Sequence, residues 1–180
     1  MGLAGLYRTG MRAWQLTILS LLVNGVVGGL LVTGQYFLAG LLLLPAGILD
    51  IFDGGVARLR GEDSREGALL DSVNDRISDA VVFGTLLVSL VSQGRTAAAA
   101  MALSALTVSL FVSHIRAEGE TAGLDMSGGL FQRLERYLAL VVGLTVPGAL
   151  LPVLAILTAL GAVTTIQRIV LAWRGLPRLG

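Results

Sequence analysis

The chain has 180 residues, a formal net charge of +1 and no cysteine. Hydrophobic residues make up 54% and charged residues only 14%, against about 25% charged in a soluble domain. This excludes a disordered chain, a disulfide framework, a cysteine-based metal site, a basic nucleic-acid-binding face and most water-soluble enzymes. A mean hydropathy of +0.81 indicates a membrane protein.

A bilayer-spanning helix needs roughly 20 mostly apolar residues. Six stretches qualify in chain order: 15–33, 36–57, 67–93, 96–117, 129–147 and 149–171. Breaker residues separate them, with Gly34-Gln35 after the first, Ser92-Gln93-Gly94 after the third and Pro147-Gly148 after the fifth. The first run is followed by Gln35-Tyr36 and not by a small-residue cleavage site, so it reads as a span and not as a signal peptide. The expected fold is an all-α integral membrane protein, a six-transmembrane-helix bundle forming one domain over residues 1–180.

Charge placement orients the bundle. All 13 basic residues are arginines, and twelve fall on one side of the implied membrane, with only Arg95 on the other. By the positive-inside rule both termini are cytoplasmic, in the cell inner membrane. Tyr7, Trp14 and Trp173 stand where interfacial aromatics belong.

Three of the helices cannot span without their charges. The apolar run Ala80–Val91 is 12 residues and Tyr137–Val146 is ten, too short for about 30 Å at roughly 1.5 Å per residue. The third span must therefore include Asp71, Asp75, Arg76 and Asp79, and the fifth must include Arg133, Glu135 and Arg136. The second runs apolar from Tyr36 to Leu49 and then meets Asp50 and Asp53. A charge facing lipid near the centre costs at least about 2.5 kcal/mol. The cheaper arrangement turns these faces toward one another around a wet cavity that opens to the cytoplasm.

Asp50 and Asp53 are three apart, Asp71 and Asp75 four apart, so each pair shares a helix face. With helices 2 and 3 as antiparallel neighbours, four carboxylates converge. Such a cluster either shares protons or binds divalent cations. An all-oxygen ligand set suits Mg²⁺, Mn²⁺ or Ca²⁺ over Zn²⁺. Mg²⁺ usually completes its shell with phosphate oxygens, which suggests a phosphate-bearing substrate. Gly54 and Gly55 cost helix stability, as expected where a ligand approaches the backbone. Arg58, one turn beyond Gly54, is suited to a phosphate.

Read in full, the stretch is Asp50-x2-Asp53-Gly54-x2-Ala57-Arg58-x8-Gly67-x3-Asp71-x3-Asp75. It resembles, position for position, the signature of the CDP-alcohol phosphatidyltransferase family. The signature covers 26 residues; the six-helix layout is similar across most of the chain. The resemblance implies displacement of CMP from a CDP-linked lipid, such as CDP-diacylglycerol, by the hydroxyl of a second alcohol. It also implies a homodimer. It assigns Asp50, Asp53, Asp71 and Asp75 as ligands of two divalent ions, Mg²⁺ or Mn²⁺, and Asp75 as general base. It assigns Asp50, Gly54, Ala57, Arg58, Gly67 and Asp71 to the nucleotide and diphosphate. Ser64 matches a hydroxyl residue that contacts CDP in inositol-phosphate-using members. No Cys or Ser–His pair is evident for a covalent intermediate, which favours direct in-line transfer.

Arg116 ends the fourth helix, and Arg133 and Arg136 lie three apart on the fifth. Aimed at one cavity, they would make an anionic pocket for the phosphate of a polyol phosphate acceptor. The text Ser113-His114-Ile115-Arg116-Ala117-Glu118 and Arg133-Leu134-Glu135-Arg136 is similar to members that use inositol phosphate. Glycerol phosphate is the alternative acceptor, and a cation transporter is the alternative of a different class.

The remaining polar residues have plainer readings. Asp79 is expected to pair with Arg76, and His114 to be a polar helix-end residue. Arg168, Arg174 and Arg178 are expected to anchor the C-terminus to headgroups. Asn24 and Ser104 are read as interhelical hydrogen-bonders. Pro45 is expected to kink helix 2.

Overall fold

The computed structural model describes residues 13–60, 65–124, 126 and 133–175, with the side chains of Ala13, Ile51, 53–60, Arg65 and Glu66 outside the description. They form six helices: α1 (Ala13–Val32), α2 (Tyr36–Arg60), α3 (Arg65–Ser92), α4 (Thr96–Thr121), α5 (Arg133–Thr145) and α6 (Leu150–Gly175). Each begins and ends within a few residues of the expected span. The first part of the fifth expected span, 129–132, lies outside the described residues.

Two turns show why the hydrophobic runs break where they do. Gly34 and Gly94 both have φ near +70° (76° and 70°), a conformation that glycine adopts without steric cost. In each, the glycine N–H returns to a carbonyl three residues back and the next N–H to one five back: Gly34 to Leu31 and Gln35 to Leu30, Gly94 to Val91 and Arg95 to Leu90. This is the Schellman arrangement, which satisfies carbonyls that the helix end would orphan in lipid.

The helices pack as a closed ring in the order α1–α2–α5–α6–α4–α3 and back to α1. Helices α2 and α3, consecutive in sequence, are therefore not packed along one another. Each lies against α1, and they face one another across the interior. This corrects the expectation of antiparallel neighbours. The connection between α2 and α3 is short, but the small buried residues of α1 and the polar contacts at Ser20 and Asn24 draw both helices to that helix instead. Ser20 Oγ donates to the Ala46 carbonyl on α2 (3.4 Å), and Asn24 Nδ2 donates to Ser78 Oγ on α3 (3.2 Å). Asn24 is thus the interhelical hydrogen-bonder that its position suggests. Ser104 is not: it is half-buried and bonds back to the Ala100 carbonyl of its own helix (2.9 Å), a common habit of a short hydroxyl in a helix.

The half of the ring nearer Gly34 and Gly94 is filled by Val27, Leu31, Leu43, Leu86, Leu90, Leu140, Leu144, Leu154 and Leu157. Among the described residues this half of the interior is packed with apolar side chains, which offer an ion no polar lining. Tyr36, Ser89 and Gln93 form a small hydrogen-bonded group at that end, with Tyr36 Oη 2.9 Å from Ser89 Oγ. The outer surface is apolar: Leu22, Val26, Phe37, Leu103 and Ile166 are each more than half exposed. In water such a surface would drive aggregation; in a bilayer it is the solvated face. By length and apolar composition α1 from Trp14, α4 and α6 are full spans, and α2 contributes the shorter apolar run Tyr36–Asp50. Helix α3 reaches a spanning length only with its charged segment, and the described part of α5, 13 residues, is shorter than the hydrocarbon core. Pro45 sits inside α2.

Close helix approach depends on missing side chains. A Cβ on Gly40 would lie 2.8 Å from Thr145 Cγ2 and 3.0 Å from Leu144 Cβ, across the α2–α5 contact. Gly40→Val should therefore force α2 and α5 apart at an overpacking cost of about 1–3 kcal/mol. The expected outcome is a lower melting temperature in detergent, with Gly25→Val, which meets nothing within 4 Å, much less affected. Equal melting of both variants would contradict the packing described here.

Candidate active site

At the opposite end of the ring from the Gly34 and Gly94 turns, the charged segments of five helices enclose a cavity of about 460 Å³. Helix α2 ends its apolar run there with Asp50. One face of α3 supplies Asp71, Ser72, Asp75 and Arg76. Helix α4 supplies Ser113, Arg116 and Glu120, α5 supplies Arg133 and Arg136, and α6 supplies Arg168.

Asp50, Asp71 and Asp75 converge as the spacing implied: one carboxylate oxygen from each lies within 4.8 Å of the others. Asp71 and Asp75 are on one face because they are four apart, and Asp50 reaches them from across the ring. Ser64 and the side chains of Asp53, Gly54, Ala57 and Arg58 lie outside the described residues. Gly67 is exposed in the first turn of α3.

Arg133 is the surprise of the site. As the first residue of α5 it enters the carboxylate cluster, and its Nη1 donates to both Asp50 Oδ2 and Asp75 Oδ1. Its guanidinium also lies 5.2 Å from the centre of the Tyr137 ring, one turn along α5, where the aromatic face favours a cation. Asp71 has no ion-pair partner among the described residues. One guanidinium is thus shared by two of three carboxylates. Asp50 Oδ1 and Arg133 Nε and Nη2 are buried without a hydrogen-bond partner, and buried polar groups are rarely left so. Oxygen donors, unspent negative charge and an orphaned carboxylate oxygen together suit a hard divalent cation.

The other arginines are held separately. Arg136 is buried and pairs through Nη2 with Asp79 Oδ2 at 3.3 Å. The Ser109 hydroxyl donates to the same oxygen. The expected Asp79–Arg76 pair is not formed. Arg76 turns toward α4, donating to Ser72 on its own helix and to the Ser113 carbonyl at 3.3 Å. The rise and rotation of α3 aim Asp79 inward and Arg76 sideways. Arg116 bonds Glu120 at 2.7 Å, both about half exposed. His114 is exposed near the end of α4, in keeping with a polar helix-end residue.

Arg168 corrects another expectation. It is 4% exposed and its Nη1 donates to the Val112 carbonyl of α4 at 2.7 Å, so it lines the cavity and does not reach headgroups; Arg174, at the end of α6, is exposed, and Arg178 lies outside the described residues. A signal was available. Arg168 is the sole charge between Leu150 and Trp173, and an ionisable residue within a span usually faces the bundle interior.

Comparison with known proteins agrees with this geometry. The family model for CDP-alcohol phosphatidyltransferases matches residues 11–174. The chain belongs to the CDP-alcohol phosphatidyltransferase family. It is similar to the phosphatidylinositol phosphate synthase of Corynebacterium glutamicum, at 38% identity over 88% of this chain and 76% of the relative. It is also similar to the archaetidylinositol phosphate synthase of Methanothermobacter thermautotrophicus, at 31% identity over 94% of this chain and 87% of the relative. Two crystal structures of Mycobacterium tuberculosis phosphatidylinositol phosphate synthase share the fold. The form with CDP-DAG bound has a TM-score of 0.85 at 31% identity, covering 95% of this chain and 91% of the other. The form with manganese and citrate has a TM-score of 0.83 at 30% identity, covering 95% and 87%. The protein is thus a multi-pass membrane transferase of phospholipid synthesis, with an acidic cluster able to hold metal.

If Arg133 is what neutralises the carboxylates in the absence of metal, removing it exposes their repulsion. Arg133→Ala should melt about 5 °C lower in metal-free detergent solution, since breaking a largely buried ion pair strands its partners. Added Mn²⁺ should raise the melting temperature of the variant more than that of the parent, because no guanidinium competes for the carboxylates. An equal Mn²⁺ response in both proteins would refute the competition.

Proposed function

We propose that the protein transfers a phosphatidyl group from CDP-diacylglycerol to a hydroxyl of inositol phosphate, releasing CMP. The observation that carries this reading is one cavity with two chemically opposite walls. Its carboxylate wall, Asp50, Asp71 and Asp75, suits cations and a diphosphate. Its arginine wall, Arg116, Arg136 and Arg168 with Arg133 between, suits a second, separate phosphate. A donor diphosphate alone accounts for the first wall but not the second. An acceptor that carries its own phosphate accounts for both.

Asp50, Asp53, Asp71 and Asp75 would hold two divalent ions, Mg²⁺ or Mn²⁺. When bound, these would neutralise the diphosphate and the charge developing on departing CMP. The backbone at Gly54 and Ala57, with Arg58, Ser64 and Gly67, would receive the cytidine and diphosphate. The arginines would fix the acceptor phosphate and so aim a hydroxyl at the lipid-side phosphorus. Asp75 stands in the carboxylate wall and touches Arg133 of the arginine wall, a position suited to take the hydroxyl proton. The new O–P bond forms as the bond to the CMP oxygen breaks, in line and without a covalent enzyme intermediate.

The relatives support the acceptor more than the lipid. Their names differ in the lipid part, phosphatidyl or archaetidyl, yet share inositol phosphate. Glycerol phosphate remains the competing acceptor, since its phosphate suits the same arginines. The deciding experiment supplies purified protein with CDP-diacylglycerol, Mn²⁺ and either inositol phosphate or glycerol phosphate, and scores CMP release. Release with glycerol phosphate alone would overturn the assignment. Asp75→Asn should lower turnover by about 10²–10⁴-fold, the usual contribution of a general base, while CDP-diacylglycerol still binds. Near-parental turnover would remove Asp75 from that role.

We place the cavity on the cytoplasmic side, because twelve of the 13 arginines stand at that end of the spans. The cysteine-free chain makes this simple to check. Exposed Gln93 and Thr121 mark opposite ends of the bundle. A membrane-impermeant maleimide added to intact cells should label Gln93→Cys and spare Thr121→Cys. The reverse pattern would invert the topology.

A further inference from the structure

We propose that Asp79 is a positioning residue for acceptor recognition, holding Arg136 at the cavity wall and apart from the carboxylate cluster. This rests on the reading that Arg136 meets the acceptor phosphate. Asp79 lies outside the signature and one helical turn beyond Asp75 on α3. It is 2% exposed, and its partner Arg136 is 6% exposed. The contact joins three helices: Arg136 Nη2 of α5 reaches Asp79 Oδ2 at 3.3 Å, and the Ser109 hydroxyl of α4 donates to the same oxygen.

Two features argue that this is more than structural glue. First, a buried ion pair is a poor way to gain stability, because desolvation offsets most of the attraction and apolar residues of like volume serve as well. Second, the pairing divides labour between two arginines. Arg133 and Arg136 are three apart on one face of α5. Arg133 is engaged by Asp50 and Asp75, while Arg136 is engaged by Asp79. Without a carboxylate of its own, Arg136 would be drawn toward the same acidic cluster and would compete there for the charge that binds cations. With it, Arg136 stays on the cavity wall. The ion pair uses only one guanidinium nitrogen, and a guanidinium carries five N–H donors. Donors are left for a phosphate, in an orientation that Ser109 helps to set through Asp79.

The test is a kinetic cycle on the full-length protein in detergent, with CDP-diacylglycerol, Mn²⁺ and inositol phosphate or, if that is the acceptor turned over, glycerol phosphate. Asp79→Asn keeps the shape and removes the charge. It should raise the acceptor KM about tenfold, with little change in the KM for CDP-diacylglycerol or in kcat. Ser109→Ala, a milder change that keeps the ion pair, should raise the same KM by a smaller factor. In an Arg136→Ala background neither substitution should raise it further. A merely structural Asp79 would lower kcat or thermal stability and affect both substrates alike. The proposal is overturned if Asp79→Asn and Ser109→Ala leave the acceptor KM unchanged, or if their effects multiply with that of Arg136→Ala. If Arg136→Ala itself leaves the acceptor KM unchanged, the acceptor reading of Arg136 falls first and the role of Asp79 with it. Should Asp79→Asn fail to fold, the cycle between Ser109→Ala and Arg136→Ala decides alone.

Discussion

The structure depends on how negative charge is neutralised inside a membrane. Asp50, Asp71 and Asp75 meet within a few ångströms, in a setting where like charges repel strongly. A guanidinium from a third helix enters the cluster and bridges two of them. That single bridge ties α2, α3 and α5 together at the charged end. It also places the cationic start of α5 beside the carboxylates that suit divalent ions. The site is therefore bound up with the fold: the carboxylates that could hold a metal ion are charges that the membrane would not tolerate unpaired.

The ring order follows from the same need. Consecutive helices α2 and α3 would bring their carboxylates face to face if packed along one another, with no room for a diphosphate. Contact of both helices with α1 separates them, and the interior at that end opens into a cavity. At the other end apolar side chains close the same space. A pocket that is polar at one mouth and sealed below suits a transferase drawing a lipid-linked donor from the bilayer and a soluble acceptor from water.

The cavity walls also separate what the enzyme must keep separate. Anionic substrate groups need cations, and the carboxylates need them too. The arrangement gives each arginine of the cavity its own partner: Arg133 has Asp50 and Asp75, Arg136 has Asp79, Arg116 has Glu120, Arg168 has the Val112 carbonyl, and Arg76 has Ser72 and the Ser113 carbonyl. None is left to collapse wholesale onto the acidic wall.

Much of this was legible in the residues. Helix number and bounds follow from apolar runs and glycine stops, because a bilayer admits few backbone solutions. The shared face of Asp71 and Asp75 follows from helical spacing and its inward turn from the cost of charge in lipid, whereas the route by which Asp50 meets them, across the ring, differs from the direct packing of α2 on α3 that the short connection suggests. What the chain alone could not decide was partnership. Asp79 stands three residues from Arg76 and just as plausibly pairs within its helix, yet the rotation of α3 sends one inward and the other toward α4. Arg168 reads as a headgroup anchor until α6 is seen packed on α4, with the guanidinium buried on Val112. Periodicity specifies which residues share a face of one helix. Which face meets which neighbour is set by packing among all six, and only the folded ring contains that information.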